Sequence, residues 1–137
     1  MRFVMDASVS LAWAFRDEGG FYPGAVLDTL VGGEAVVPSH WPLEVANGLL
    51  TAQRRGRLGA ADAARFSRLL LTLPVAVEPV DPKRVFEIAQ AIGERREITT
   101  YEAEYLELAT RFGIPLATLD DGLRSAAESE GIRIHLR

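Results

Sequence analysis

The sequence contains no cysteine. That removes disulfide staples, thiolate metal sites and a cysteine nucleophile together, and nothing in it requires an oxidising compartment. A long apolar run is also missing. The longest, residues 69–77, is broken by Thr72 and Pro74 and falls far short of the roughly 20 residues that span a bilayer. Asp6 interrupts the apolar start of the chain, which argues against a secretory leader. The expected location is therefore the cytoplasm, with no membrane partner. Nor is there a surplus of basic residues: 19 Asp and Glu against 15 Lys and Arg give a net charge of −4. By itself that balance argues against a domain coated in nucleic acid. Lysine is nearly absent, Lys83 being the only one among those 15.

What is present suits a packed domain. A chain of 137 residues, 48% of them hydrophobic, can build one core and is expected to form a single domain over residues 1–137. Short apolar runs at residues 3–5, 35–37, 75–77, 116–119 and 132–134 predict four or five strands. Between them lie apolar residues at helical spacing. The first helix is expected to carry Val9, Leu11, Ala12 and Phe15, with Ser8 as its cap and Gly19 and Gly20 as its stop. Further helices are expected over residues 24–31, from Pro42 to Gly56, over residues 60–73, from Pro82 through Ile92, over residues 101–112 and from Asp121 to about Glu130. Strands alternating with helices predict βαβ units: a three-layer α/β/α sandwich on a mainly parallel sheet.

Ligands of open α/β sheets bind outside the carboxyl ends of the strands. Asp6 ends the first predicted strand and Asp120 the fourth, and Glu44 lies in the first turn of the helix after the second. The rule that strand ends and the helix starts that follow them share one edge gathers these three, and leaves Glu102 out. Each acid also has a local explanation. Asp6 suits a turn, Glu44 complements its helix N-terminus, Thr99 and Glu102 match a capping box, and Asp120 and Asp121 suit a helix start. As a group they are harder to explain locally. Carboxylates about 5 Å apart repel by roughly 3 kcal/mol per pair at an effective dielectric of about 20, so a cluster needs a cation or protonation. Oxygen donors without thiolates favour Mg²⁺ or Mn²⁺, which promotes phosphodiester hydrolysis.

The runs FVMDASV, PLEVANGLL and TTYEAEYLELATRFGIPLATLDDGLRSAA, in that order and spacing, resemble the PIN-domain family, and within it the VapC-like toxins of toxin–antitoxin pairs. The resemblance covers nearly the whole chain. It implies a metal-dependent endoribonuclease acting on RNA, neutralised by a small antitoxin protein and assembled as a homodimer. Carried over by motif, the metal-binding acids are Asp6, Glu44, Glu102 and Asp120. The third is usually Asp in such proteins, so Glu102 departs from the pattern by one methylene. Ser8 and Thr118 are implied to support the acids, and Asp121 is a secondary candidate. The four acids account for the whole net charge of −4, leaving the rest formally neutral. Acidity confined to a metal site no longer counts against RNA.

Other residues invite plainer readings. His40 and His135 are expected in loop or surface roles, and Trp13 and Trp41 in packing. Arg54, Arg55 and Arg57 suit a helix C-terminus, Arg95 and Arg96 are ambiguous between ion pairs and RNA, and Arg124 is expected to pair with an acid. Glu104 is expected to point away from Glu102. Leu43, Leu49 and Leu50, with Phe66, Leu69, Leu70 and Leu73, suit either core or a groove for an antitoxin helix. Two rival readings of function stand beside the nuclease. One is a PIN-like binding module without catalysis. The other is a phosphoacceptor receiver domain, which needs paired acids after the first strand and a lysine at a late strand end.

Overall fold

The computed structural model describes residues 1–15 and 19–137. Four strands, β1 (Arg2–Met5), β2 (Glu34–Pro38), β3 (Val75–Glu78) and β4 (Leu116–Ala117), form one sheet in the order β3-β2-β1-β4. All pairings are parallel, with Phe3 opposite Ala35, Val36 opposite Ala76, and Val4 opposite Leu116. Phe3, Val4 and Met5 are all fully buried. Successive strand residues point to opposite faces, so both faces of β1 are covered, as the α/β/α expectation requires. The expected fifth strand is reduced to one parallel bridge between Leu116 and Ile134.

The helices are α1 (Ala7–Ala12), α2 (Tyr22–Asp28), α3 (Trp41–Arg54), α4 (Ala60–Leu70), α5 (Pro82–Arg84), α6 (Gln90–Arg96), α7 (Thr100–Phe112) and α8 (Asp121–Ser129). A π-helical turn at Val85–Ala89 joins α5 to α6, where an uninterrupted helix was expected. The expected first helix is shorter than its apolar spacing suggested, ending at Ala12; its course toward Gly19 crosses residues 16–18, outside the described residues. α1 and α3 approach closely at Gly48, where a Cβ would lie 2.5 Å from the Leu11 side chain. Gly113 ends α7 in the left-handed conformation, φ 64°, which glycine adopts without strain.

Packing corrects some expectations. His135 is not on the surface: its ring stacks on Phe3 at 4.0 Å and its Nε2 meets the Thr29 hydroxyl at 3.0 Å. Burial pushes its pKa down. Trp41 is core, its indole N–H donating to the Ser10 hydroxyl, and Trp13 donates to the Pro23 carbonyl. Leu49 is buried, but Leu43 and Leu50 face solvent, so the leucines of α3 do not act as one set. Phe66, Leu70 and Leu73 pack against the core beside Trp13 and Leu27. Arg95 and Arg96 are both committed to Glu130, and Arg57 lies 4.4 Å over the Phe15 ring.

Candidate active site

Chain direction places the acids. β1 ends into Asp6, β4 leads through Thr118 to Asp120, and α3 and α7 begin near the same sheet edge. α7 feeds β4 through a short turn at Gly113, Ile114 and Pro115. A helix leading directly into a parallel strand must run opposite to it, so α7 starts at the strands' carboxyl edge. That brings Glu102 to the site, where the strand-end rule alone had left it out. Asp6, Glu44, Glu102 and Asp120 line one cleft of about 560 Å³, together with Ser8 and Tyr105.

Asp6 is the most constrained. It is 5% exposed and serves as N-cap of α1, so Ser8, expected to be the cap, is not. Its Oδ1 accepts the Ser8 hydroxyl at 2.6 Å and the N–H groups of Ser8 and Val9 at 3.1 and 3.4 Å. Its Oδ2 accepts the Thr118 hydroxyl at 2.6 Å. Burial still pushes its pKa from the usual 3.8 up to about 6 against those hydrogen bonds, and the charge of Asp120 adds to the rise. The two hydroxyls also tie the site together: Ser8 Oγ accepts the Leu119 N–H at 2.9 Å and Thr118 Oγ1 accepts that of Asp120 at 3.0 Å. Both expected supporting residues thus hold the Asp6 carboxylate and the chain after β4.

Glu44 Oε1 accepts the Tyr105 hydroxyl at 2.7 Å and lies 3.2 Å from His40 Nε2. Burial raises its pKa, but the hydrogen bonds from His40 and Tyr105 outweigh that and hold it below the usual carboxylate range. His40 keeps its expected loop position, in the turn that enters α3, but its ring is beside the site; its (i, i+4) spacing from Glu44 is the signal for that. Tyr105 sits one helical turn beyond Glu102. Glu102 forms the anticipated capping box, its Oε1 accepting the Thr99 N–H at 3.1 Å and hydroxyl at 2.9 Å. Asp120 caps α8, accepting the Leu123 N–H at 2.9 Å. Asp121 points outward, 88% exposed and paired with Arg124 at 2.9 Å, and does not line the cleft. Glu104 points away from Glu102, as its spacing suggested. Burial and its neighbour Glu107 push its pKa up to about 8, while Arg84 and Arg111 pair with Glu107.

Among the described residues, no lysine or arginine lines the cleft. Four carboxylates lining one cleft, all offering oxygen, suit a hard divalent cation. The raised pKa of Asp6 shows how poorly its charge is balanced by protein alone. Among the described residues, however, no three acids or imidazoles converge as a ready-made metal-ligand group. Glu44 and Glu102 are engaged in hydrogen bonds within the chain and would exchange them for a cation.

A family model described as "PIN domain" matches residues 3–129. The chain belongs to the PIN-domain family. It is 30% identical over 129 residues to "Ribonuclease VapC9" of Mycobacterium tuberculosis, covering 93% of this chain and 92% of that protein. Among solved structures it resembles PAE2754 from Pyrobaculum aerophilum, with TM-score 0.71 and 22% identity over 95% of this chain and 92% of that one. It also resembles a chain of VapBC2 from Rickettsia felis bound to a DNA fragment from their promoter, with TM-score 0.71 and 8% identity over 98% of both chains. In this PIN domain the receiver-like alternative has no support: Lys83 is engaged with Glu87 at 2.8 Å on an exposed helix, and Asp6 has no acidic neighbour in sequence. No helix among the described residues is long and apolar enough to cross a membrane.

Proposed function

We propose that this PIN domain is a metal-dependent endoribonuclease, the toxin half of a toxin–antitoxin pair, with Asp6, Glu44, Glu102 and Asp120 as its metal-binding residues. The observation that carries the reading is the cleft itself: four acids at the starts of four helices, one buried and pushed up in pKa, with no lysine or arginine among the described lining residues. The cation is Mg²⁺ or Mn²⁺. When bound, it supplies Lewis-acid stabilisation of phosphodiester charge and activates water for attack. The protein's part is placement. Ser8 and Thr118 fix both oxygens of Asp6 and hold the chain that carries Asp120. Tyr105 and His40 fix Glu44.

The family resemblance supplies the rest of the assignment: an RNA substrate, a small antitoxin, a homodimer and a cytoplasmic setting. The antitoxin surface proposed here is the groove of about 400 Å³ lined by Trp13, Leu27, Leu30, Phe66, Leu70 and Leu73, which suits the apolar face of a helix. Leu43, expected to join it, lies elsewhere. The test is cleavage of single-stranded RNA by purified protein with Mg²⁺ or Mn²⁺. Asp6→Asn and Asp120→Asn should each lower the rate at least about a thousandfold. Cleavage that survives chelation, or survives both substitutions, overturns the reading. The hydrogen bonds that occupy Glu44 and Glu102 favour a second reading, a binding module without catalysis. Calorimetry showing no Mg²⁺ or Mn²⁺ uptake by the partner-free protein would select it.

A further inference from the structure

Beside the acidic cleft lies a second hollow of about 560 Å³ that the proposed reaction does not use. Its walls are Leu43, Val80 and Val85, its rim the rings of His40 and Tyr101, and Glu104 also lines it. The two hollows adjoin: Tyr101 lines both, and His40 reaches Glu44 in one and stands edge-on to Tyr101, 5.8 Å between ring centroids, in the other. Leu43 is 73% and Tyr101 68% exposed, although both are residues that burial favours.

Glu104 distinguishes this hollow from a plain apolar dent. Its residue is 4% exposed, yet its Oε2 has no hydrogen-bond partner. A buried, unsatisfied oxygen costs a folded protein stability and calls for an explanation. Its carboxyl is hydrogen-bonded to Glu107. Whether that pair holds its proton on Glu104 or on Glu107, Oε2 is left as an acceptor. The hollow thus offers flat aromatic surface and apolar walls next to the cleft where a phosphodiester would be cut, and one of its lining residues carries an enclosed acceptor that nothing in the chain satisfies.

We propose that this hollow is a nucleobase subsite for an RNA residue next to the scissile phosphate, with Tyr101 as stacking surface and Glu104 Oε2, once its side chain turns out into the hollow, as acceptor of a base N–H. Flipped-out RNA bases are read in this way, by stacking on aromatics and hydrogen bonds to their edges. The volume admits a purine. Guanine places two N–H donors side by side on its Watson–Crick edge, so it is the expected base. The proposal rests on the nuclease reading, which places RNA in the adjoining cleft.

The test has two arms. In the first, a pool of RNA oligonucleotides randomised around the cut is cleaved with Mg²⁺ or Mn²⁺ and the products are sequenced. Wild type should favour guanine at one flanking position by about tenfold or more, and Glu104→Leu should reduce that to less than about threefold. Tyr101→Ala, a change at an exposed side chain that spares the core, should weaken selection at the same position. In the second arm, equilibrium dialysis without metal measures binding of the four nucleoside 5′-monophosphates. GMP should bind best and lose its advantage in Glu104→Leu. If wild type cleaves nothing, the nuclease reading fails, and the dialysis still decides the subsite. Base selection unchanged in both variants, or absent in wild type, overturns the proposal. Altered self-association with unchanged base selection would assign the hollow to a protein contact and overturn it too.

Discussion

Replacing Asp6 with Asn should stabilise the metal-free protein at neutral pH while abolishing cleavage. A pKa raised from 3.8 to about 6 by burial means that the folded state disfavours the ionised carboxylate by about 3 kcal/mol. Asn is neutral and of the same shape, so it removes that penalty. Its Oδ1 retains the N–H groups of Ser8 and Val9, but its amide faces the Thr118 hydroxyl, which already accepts from Asp120. Losing that hydroxyl's acceptor costs about 1 kcal/mol. The net gain is about 2 kcal/mol, or about 6 °C in Tm for a chain of this size. The pH dependence is the sharper part. Between pH 3.8 and about 6 the folded wild type binds more protons than the unfolded chain, so its stability falls as pH rises through that window. The Asn variant has no such group. Its advantage should therefore be absent near pH 4, grow toward pH 6 and level off above it. Urea titrations of both proteins in EDTA at a series of pH values measure this. An Asn variant equally or less stable at pH 7.5, or an advantage independent of pH, refutes the reasoning. Mg²⁺ should then raise the Tm of wild type, by mass action, and leave the variant nearly unmoved.

Thr118→Val keeps the shape but strips a donor from Asp6 and an acceptor from Asp120; stability should fall by about 1–3 kcal/mol in urea titration, and metal affinity by calorimetry should fall with it. Thr99→Ala removes the cap of α7 and should cost about 1 kcal/mol, read as a lower denaturation midpoint. Glu107→Leu leaves Arg84 and Arg111 without their shared carboxylate. Both arginines keep contact with solvent, so no buried charge is stranded and the cost is that of the lost charged hydrogen bonds, about 1–3 kcal/mol, read as a lower denaturation midpoint.

The acids themselves were legible because two of them end apolar strands and two open helices, and both are positions that sequence punctuation marks. The route by which Glu102 reaches the cleft was not read, although it follows from the direction of the helix that feeds β4. Other features depend on partners distant in sequence. His135 is a lone polar residue near the chain end until Phe3 stacks on it. Glu104 is an ordinary helix glutamate until α7 packs against the π-helical turn and leaves one of its oxygens without a partner. The short α1 escaped because apolar spacing continues past Ala12 while the backbone leaves the helix. Ser8 suits a cap because it directly precedes the apolar helical run, but Asp6 two residues earlier caps the helix and leaves the Ser8 hydroxyl free to support it.

Asp6 and Asp120 each begin a helix as well as face the cleft, and Glu102 closes the capping box of α7. Removing the negative charge and removing the helix start are therefore separable only for some replacements. A descendant of this chain that has lost catalysis but still folds should carry Asn, Ser or Thr at positions 6 and 120, since these still cap a helix. Alanine or an apolar residue there would weaken the fold along with the chemistry. Among diverged relatives, the residue that replaces such an aspartate would record whether selection abandoned the reaction alone or the architecture as well.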